Sequence, residues 1–332
     1  MTKKRLAAAL AAVLLILLYV GVSAYLKTQV VERINEFAAS AGFSEKIRYE
    51  ALSVNPVTMS GKLKQVDFED SGLYFKAESL DFNIVTYKSK IKDITIANGD
   101  EFIKIDEIYV KKYKTEDGIP KNTEINVSAL RLPVDSPEMT AKLGTDELVV
   151  DIELATDADF TKQIYEYTRM NFFFRDLADV KINLTFSGVD IKSYAKFSSS
   201  NTTALQNDAE FNAKVQEDLA NLKLNSLTLT MKDKGAAEKL FFTPEEGDNS
   251  TPEERRQKFI AELDQDIAET ESPFEKQLAE DIKKALQENR KEIVLTMKPA
   301  EPVSLQELML SSMMGVGMDE IAGMTALKYE FK

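Results

Sequence analysis

The sequence predicts an α+β protein: an N-terminal transmembrane helix, then an antiparallel β-rich section, then strands alternating with amphipathic helices. Three observations lead there. An uncharged run from Leu6 to Leu26 follows Lys3, Lys4 and Arg5. From Ile47 the apolar residues alternate with polar ones. From Asp157 apolar residues recur at helical spacing between further strand-like stretches. The corresponding divisions are 1–27 as cytoplasmic tip and signal anchor, 28–46 as juxtamembrane helix and link, 47–156 as the β-rich section, and 157–332 as the strand and helix section.

The first run is roughly 20 residues long, which as a helix matches the hydrocarbon core of a bilayer. The basic tip stays cytoplasmic, so the expected location is a bacterial inner membrane with the bulk of the chain periplasmic. A signal peptide cleaved after Val22-Ser23-Ala24 is the alternative. The run exceeds the usual apolar length of such peptides, about 7 to 15 residues. The helical pattern also continues through Val30, Val31, Ile34, Phe37, Ala38 and Ala41, which favours a retained anchor.

Composition excludes several chemistries. The chain of 332 residues has no Cys, no His and no Trp. Disulfides, thiol catalysis, lipoprotein acylation, Ser-His-Asp catalysis and His-ligated metal sites are therefore out of reach. A Cys-free exported chain must be stable through its core alone, which suits a periplasm. The net charge of −13 argues against nucleic acid and against adhesion to anionic head groups, both of which need clustered Lys and Arg. No cofactor is expected.

In the β-rich section, Tyr49, Leu52 and Val54 precede Asn55-Pro56, and Met59, Leu63, Val66 and Phe68 precede a Ser71-Gly72 turn. Short strands follow around Phe75, Phe82, Ile94, Ile105, Val127 and Ile152. Stretches such as Phe102-Ile103-Lys104-Ile105-Asp106 have one apolar and one charged face, the pattern of a one-sided antiparallel sheet.

In the second section, Phe160, Ile164, Tyr167 and Phe174 predict a helix from Asp157 to about Arg175. Strands are predicted at Val180–Val189, Leu222–Met231, Glu292–Lys298 and Thr325–Phe331. Helices are predicted around Phe211, Val215 and Leu219, around Phe259 and Leu263, around Phe274 and Ile282, and around Leu305 and Leu308. Thr251 with Glu254, Ser272 with Glu275, and Ser304 with Glu307 read as capping boxes, with Pro252 and Pro273 in the first helical position. Three of the strands resemble one another in their Leu-Thr pattern, as a weak strand-plus-helix repeat would.

No residue set fixes a reaction. The acids between Glu245 and Glu292 lack the spacing of a calcium loop and alternate with Lys and Arg, as a solvated helix face does. Asp264 and Asp266, two apart on a helix, cannot share a face. The candidate apolar ligand or partner surface is Phe172 and Phe173, from the run Met170–Phe174, together with Met309, Met313, Met314 and Met318. Met adapts to irregular apolar shapes, so this surface suits lipid tails or a partner helix.

Tyr49, Leu52-Ser-Val-Asn-Pro56, Gly61-Lys-Leu63 and Val66-Asp-Phe68, set after an apolar N-terminal run, resemble the opening of AsmA-like bacterial envelope proteins. The resemblance covers about the first third of the chain. It implies a periplasmic β structure curved into a groove, connected with phospholipid handling and envelope integrity. From the anchor and the amphipathic strands, the function expected is that of a non-enzymatic, single-pass envelope protein supporting envelope integrity, with helices or bound phospholipid covering its apolar sheet face. An adaptor holding an envelope protein in a membrane complex is the alternative, and a carboxylate-based glycan hydrolase a third.

Overall fold

The computed structural model describes residues 23, 25–31, 47–70, 73–99, 101–117, 119–190, 213, 217–218, 220–242, 250–270, 272–313 and 317–332. The architecture corrects the expected fold class. The chain is mostly antiparallel β-sheet, and among the described residues no helix is long and apolar enough to cross a membrane. The transmembrane, signal-anchor and single-pass expectations are withdrawn on that finding. Most of Leu6–Leu26 and the predicted helix around Phe211 lie outside the described residues. By contacts the chain forms two units, residues 1–113 with 125–128, and residues 114–124 with 129–332.

Unit 1 is a meander. Strands β1 (Ala51–Asn55), β2 (Ser60–Asp70), β3 (Leu73–Asn83), β4 (Ser89–Asn98) and β5 (Glu101–Glu116, to Tyr113 in this unit) pair antiparallel in sequence order. Two of its turns share one chemistry. Asn55 Oδ1 accepts from the backbone of Val57 and Thr58, and Asn83 Oδ1 from that of Val85 and Thr86, so each Asn closes its own turn.

The apolar face of unit 1 is spaced by three where plain alternation gives two. Leu63 and Val66, Ala77 and Leu80, Ile91 and Ile94, and Ile105 and Ile108 flank the same level of four adjacent strands in unbroken register. On β2 and β4 this level holds Gln65 (φ 49°) and Asp93 (φ 51°), whose left-handed backbone reverses the pleat. The row Val66–Ala77–Ile94–Ile105 is then closed, at 5%, 0%, 1% and 7% exposure. Val30, in the helical residues 25–31, is also buried.

Unit 2 contains most of β6 (Ile119–Pro133), then α1 (Pro137–Leu143), β7 (Glu147–Asp159), β8 (Ile164–Phe174), β9 (Ala178–Ser187) and β10 (Lys223–Asp233). Three helices follow, α2 (Ala236–Phe241), α3 (Pro252–Glu269) and α4 (Pro273–Gln287), then β11 (Glu292–Met297) and β12 (Val303–Ser304). The chain ends with α5 (Leu305–Met313), α6 (Met318–Thr325) and β13 (Lys328–Phe331). The strand order runs β7-β8-β9-β10-β11-β13, all antiparallel, with β12 also on β10.

The helix predicted from Asp157 to Arg175 is instead the end of β7, a turn and β8. Asp159 Oδ1 accepts from the backbone of Thr161 and Lys162 at 3.1 Å each, and Gln163 takes a left-handed φ of 52°. Beyond the turn, β8 carries one extra residue near Thr168, shifting the register against both neighbours. A turn and a bulge put the apolar residues three to four apart, which is the helical spacing. The last strand is shorter than predicted, because α6 runs to Thr325 and ends with Ala326 in the left-handed region at φ 49°.

The helix starts follow their signals. Thr251 and Glu254 form a reciprocal box, the Glu254 carboxylate accepting from the Thr251 backbone at 2.6 Å and Thr251 Oγ1 from the Glu254 backbone at 3.2 Å. Ser272 and Ser304 accept from the backbones of Glu275 and Glu307, at 3.1 and 3.3 Å. Glu275 does not close its box; its carboxylate accepts from Thr270 Oγ1 at 3.0 Å. Helix α1, outside the sequence expectations, is capped by Ser136 and ended by Gly144 at φ 71°.

Candidate functional site

The register assigns the paired residues of β7 to β11 and β13 to a face. Three levels matter, read from β7 to β13. The first is Ile152, Phe172, Val180, Met231, Ile293 and Phe331; the second is Leu154, Met170, Ile182, Leu229, Leu295 and Tyr329. The third is Thr156, Tyr167, Leu184, Leu227 and Met297. All but one of these residues are apolar. The alternate levels are mostly polar, as in Glu153, Asn171, Lys181, Thr230 and Glu330, with Val294 the apolar member of that row. Bulges preserve the segregation: the extra residue at Thr168 keeps Tyr167 and Met170 on one face, and one at Asn225 does the same for Leu224 and Leu227.

This apolar face is closed at both ends and only partly covered between. At one end Ile119, Ala158, Phe160 and Tyr165 form a buried cluster with Phe186 and Val189 against it, the Tyr165 and Phe186 rings stacking at 5.3 Å. At the other, Val150 and Leu177 are buried, and the Leu177 carbonyl accepts from the backbone of Lys234 and Ala236 at 2.8 and 3.1 Å. In the middle Phe172, Met170, Ile182, Leu229 and Leu295 are only half-buried, and Met231 is exposed. Residues flanked by paired strands on both sides stay this accessible only where the layer above them is incomplete.

The β13 edge is covered. Phe274 of α4 meets Tyr329 edge to face at 5.8 Å, and the Tyr329 hydroxyl donates to Asp281 at 3.0 Å. Burial first, then that hydrogen bond and the Asp281 charge, push the Tyr329 phenol up to about 12. Helix α4 is tied in at its start, where Asp319 of α6 accepts from the Phe274 backbone at 2.8 Å. A hydrogen bond from Ser272 and then that backbone bond hold the Asp319 carboxyl below its usual range. Along its length, Lys283 pairs with Asp264 of α3 at 2.5 Å.

The structure separates the residues expected to form one apolar surface. Phe172 belongs to the half-open face, whereas Phe173 points to the opposite face, in register with Asp151 and Asp179. Met309 and Met313 lie on α5, exposed at 66% and 81%, beside exposed Leu310; Met318 begins α6. Met314 lies outside the described residues. The residues that sequence reasoning left out of the surface are Ile182, Leu229 and Leu295. Each looked like ordinary strand core, and only the register brings them beside Phe172 and Met170.

Among the described residues no group of three or more acids is placed to hold a metal ion. In unit 1 a hydrogen bond to Asp93, which the protonated Glu78 donates, and then the Asp93 charge raise the Glu78 carboxyl. Both side chains are exposed on a strand surface, with Lys62 and Lys92 acting the other way on Glu78.

A family model described as "Uncharacterized protein" matches residues 171–327, from within β8 to just before β13. That stretch does not include Tyr49–Phe68, which carries the AsmA-like resemblance. A search of the curated proteins finds no match.

Proposed function

We propose that unit 2 is a non-catalytic binding module that takes an apolar ligand, of the class of a phospholipid acyl chain, on the open middle of its sheet. The observation that carries this reading is the half-buried row Met170, Ile182, Leu229 and Leu295 on paired strands. A free face of this kind leaves water against aliphatic surface, at roughly 25 cal/mol for each Å² that a ligand would cover. The AsmA-like resemblance, which implies phospholipid handling, supports the same reading. So does the lack of Cys, which suits a location outside the cytoplasm.

The test uses the absence of Trp. The full chain carrying Leu229→Trp has one indole, placed on the open row. Fatty acids brominated along the chain should quench it in a saturable way, and organic extraction of the purified protein should return lipid. An indole that is blue-shifted and insensitive to brominated lipid, with no lipid extracted, would show a closed face and end the proposal.

A second reading is an adaptor that holds an envelope protein, favoured by the exposed Met309, Leu310 and Met313 of α5. Crosslinking in cells from position 313 should then return one partner in fixed ratio to the chain; crosslinks scattered over abundant proteins count against it.

A further inference from the structure

The charge of −13 conceals a local reversal in unit 1. The register cuts its sheet at the row Lys64–Ser79–Lys92–Glu107. From that row to the β1–β2 and β3–β4 turns, residues 51–64, 79–92 and 107–113 hold seven lysines and two acids, Asp81 and Glu107. The lysines are Lys62, Lys64, Lys88, Lys90 and Lys92, with Lys111 and Lys112 on β5. Beyond the row the sign changes, with Asp67, Glu69, Glu78, Asp93 and Asp106 against Lys76 and Lys104 on the same strands.

The basic end also carries apolar tips. Val57 is 79% exposed, Val85 63% and Tyr87 64%. These tips do not sit on loose loops. Beside the two Asn-closed turns, Asn83 Nδ2 donates to the Thr58 carbonyl and the Ile84 backbone to the Met59 carbonyl, both at 2.9 Å. The two turns therefore form one bonded unit that holds aliphatic side chains in water, and docking it orders little that is not already ordered. Behind the turns lies a hollow of about 520 Å³ lined by Val54, Gly61, Phe82, Lys62, Lys88 and Lys90, among others.

We propose that this end of unit 1 docks on an anionic lipid surface, with Val57, Val85 and Tyr87 entering the head-group region and the lysines meeting lipid phosphates. Clustered lysines attract an anionic bilayer, and aliphatic and tyrosyl tips gain by leaving water at its interface. A nucleic acid would match the lysines and gain nothing from two exposed valines. The contact is made by turns and needs no spanning segment. It reverses the inference drawn from net charge, because a surface responds to the charge within about a Debye length of it.

The chain has no cysteine, so Val85→Cys in the full-length protein can be labelled uniquely with an environment-sensitive fluorophore. Vesicles of phosphatidylcholine with phosphatidylglycerol should raise and blue-shift its emission severalfold, and high salt should reverse this. The same label at Lys104→Cys should stay unchanged, which separates docking by this end from partitioning of any other part of the chain. Replacing Lys88, Lys90 and Lys92 together by Gln should weaken the response by about tenfold or more, with the thermal transition unmoved. The proposal falls if position 85 does not respond, if neutral vesicles act as well as anionic ones, if position 104 responds equally, or if duplex DNA gives the response and vesicles do not.

Discussion

Two sheet faces in this molecule share a pattern and differ in what lies over them. In unit 1 the row Val66–Ala77–Ile94–Ile105 is closed; in unit 2 the row Met170–Ile182–Leu229–Leu295 is half-open. Both are rows of apolar side chains across antiparallel strands, the opposite face being charged in unit 1 and mostly uncharged polar in unit 2. Strand pattern therefore sets which face is apolar and leaves open whether it is covered. In unit 2 the cover is local, with α4 over Tyr329 and aromatic clusters at one end of the strands. The half-buried middle is where this face differs from the closed row of unit 1.

The largest expected effect tests the closed row. Ile94→Ala removes a side chain that is 1% exposed, and should destabilise unit 1 by about 2–5 kcal/mol, the transfer and cavity terms acting together. Hydrogen exchange followed by mass spectrometry should show the loss across β2–β5 with unit 2 amides unaffected. Next is Gly61→Ala. A Cβ there would lie 2.3 Å from Cζ of Phe82, whose ring covers the glycine. Displacing the ring should cost about 1–3 kcal/mol, read in the same exchange experiment. Leu229→Ala should cost less than Ile94→Ala, about 1–2 kcal/mol, because a half-exposed side chain loses part of the transfer term and leaves no closed cavity. A loss as large as that of Ile94→Ala would mean that the unit 2 row is closed, and the contrast between the faces would disappear.

Much of the strand content was legible because alternation is a local signal. The stretches around Phe82, Ile182 and Leu295 carry apolar residues two apart and form strands. The capping boxes were legible too, since Thr251 and Glu254 are three apart in sequence and meet whatever the rest of the chain does. What misled was irregularity that imitates another period. The turn at Asp159–Gln163 and the bulge near Thr168 gave Phe160, Ile164 and Tyr167 helical spacing within a hairpin. The candidate surface failed on a parity argument that needs the strand to be known. Phe172 and Phe173 are about 100° apart on a helix, close enough to border one broad apolar surface, but lie on opposite faces of β8. The open row itself was beyond sequence reading, because Met170, Ile182, Leu229 and Leu295 come from four strands and meet only through register. The basic end of unit 1 was hidden for a related reason: its lysines lie in three separated stretches, and the acids that outnumber them overall lie elsewhere.

The smallest predicted effect bears on the covered edge of the unit 2 face. Tyr329 shares its level with the open residues Ile182, Leu229 and Leu295, yet α4 lies against it. Its phenol, normally near 10, is raised to about 12, mainly by burial and then by Asp281. A group raised in the folded state contributes stability that is fully present below its unfolded pKa and lost as pH rises through the folded one. The neutral phenol thus supports the fold up to about pH 10, and that support disappears between about pH 10 and 12. Spectrophotometric titration of the phenolates should show one of the 11 tyrosines ionising near the upper end of that range. Tyr329→Phe should remove that tyrosine from the curve and make stability between pH 10 and 12 less steeply dependent on pH. An ordinary midpoint for Tyr329 would place water beneath α4, and the open part of the face would then extend from β8 to the β13 edge.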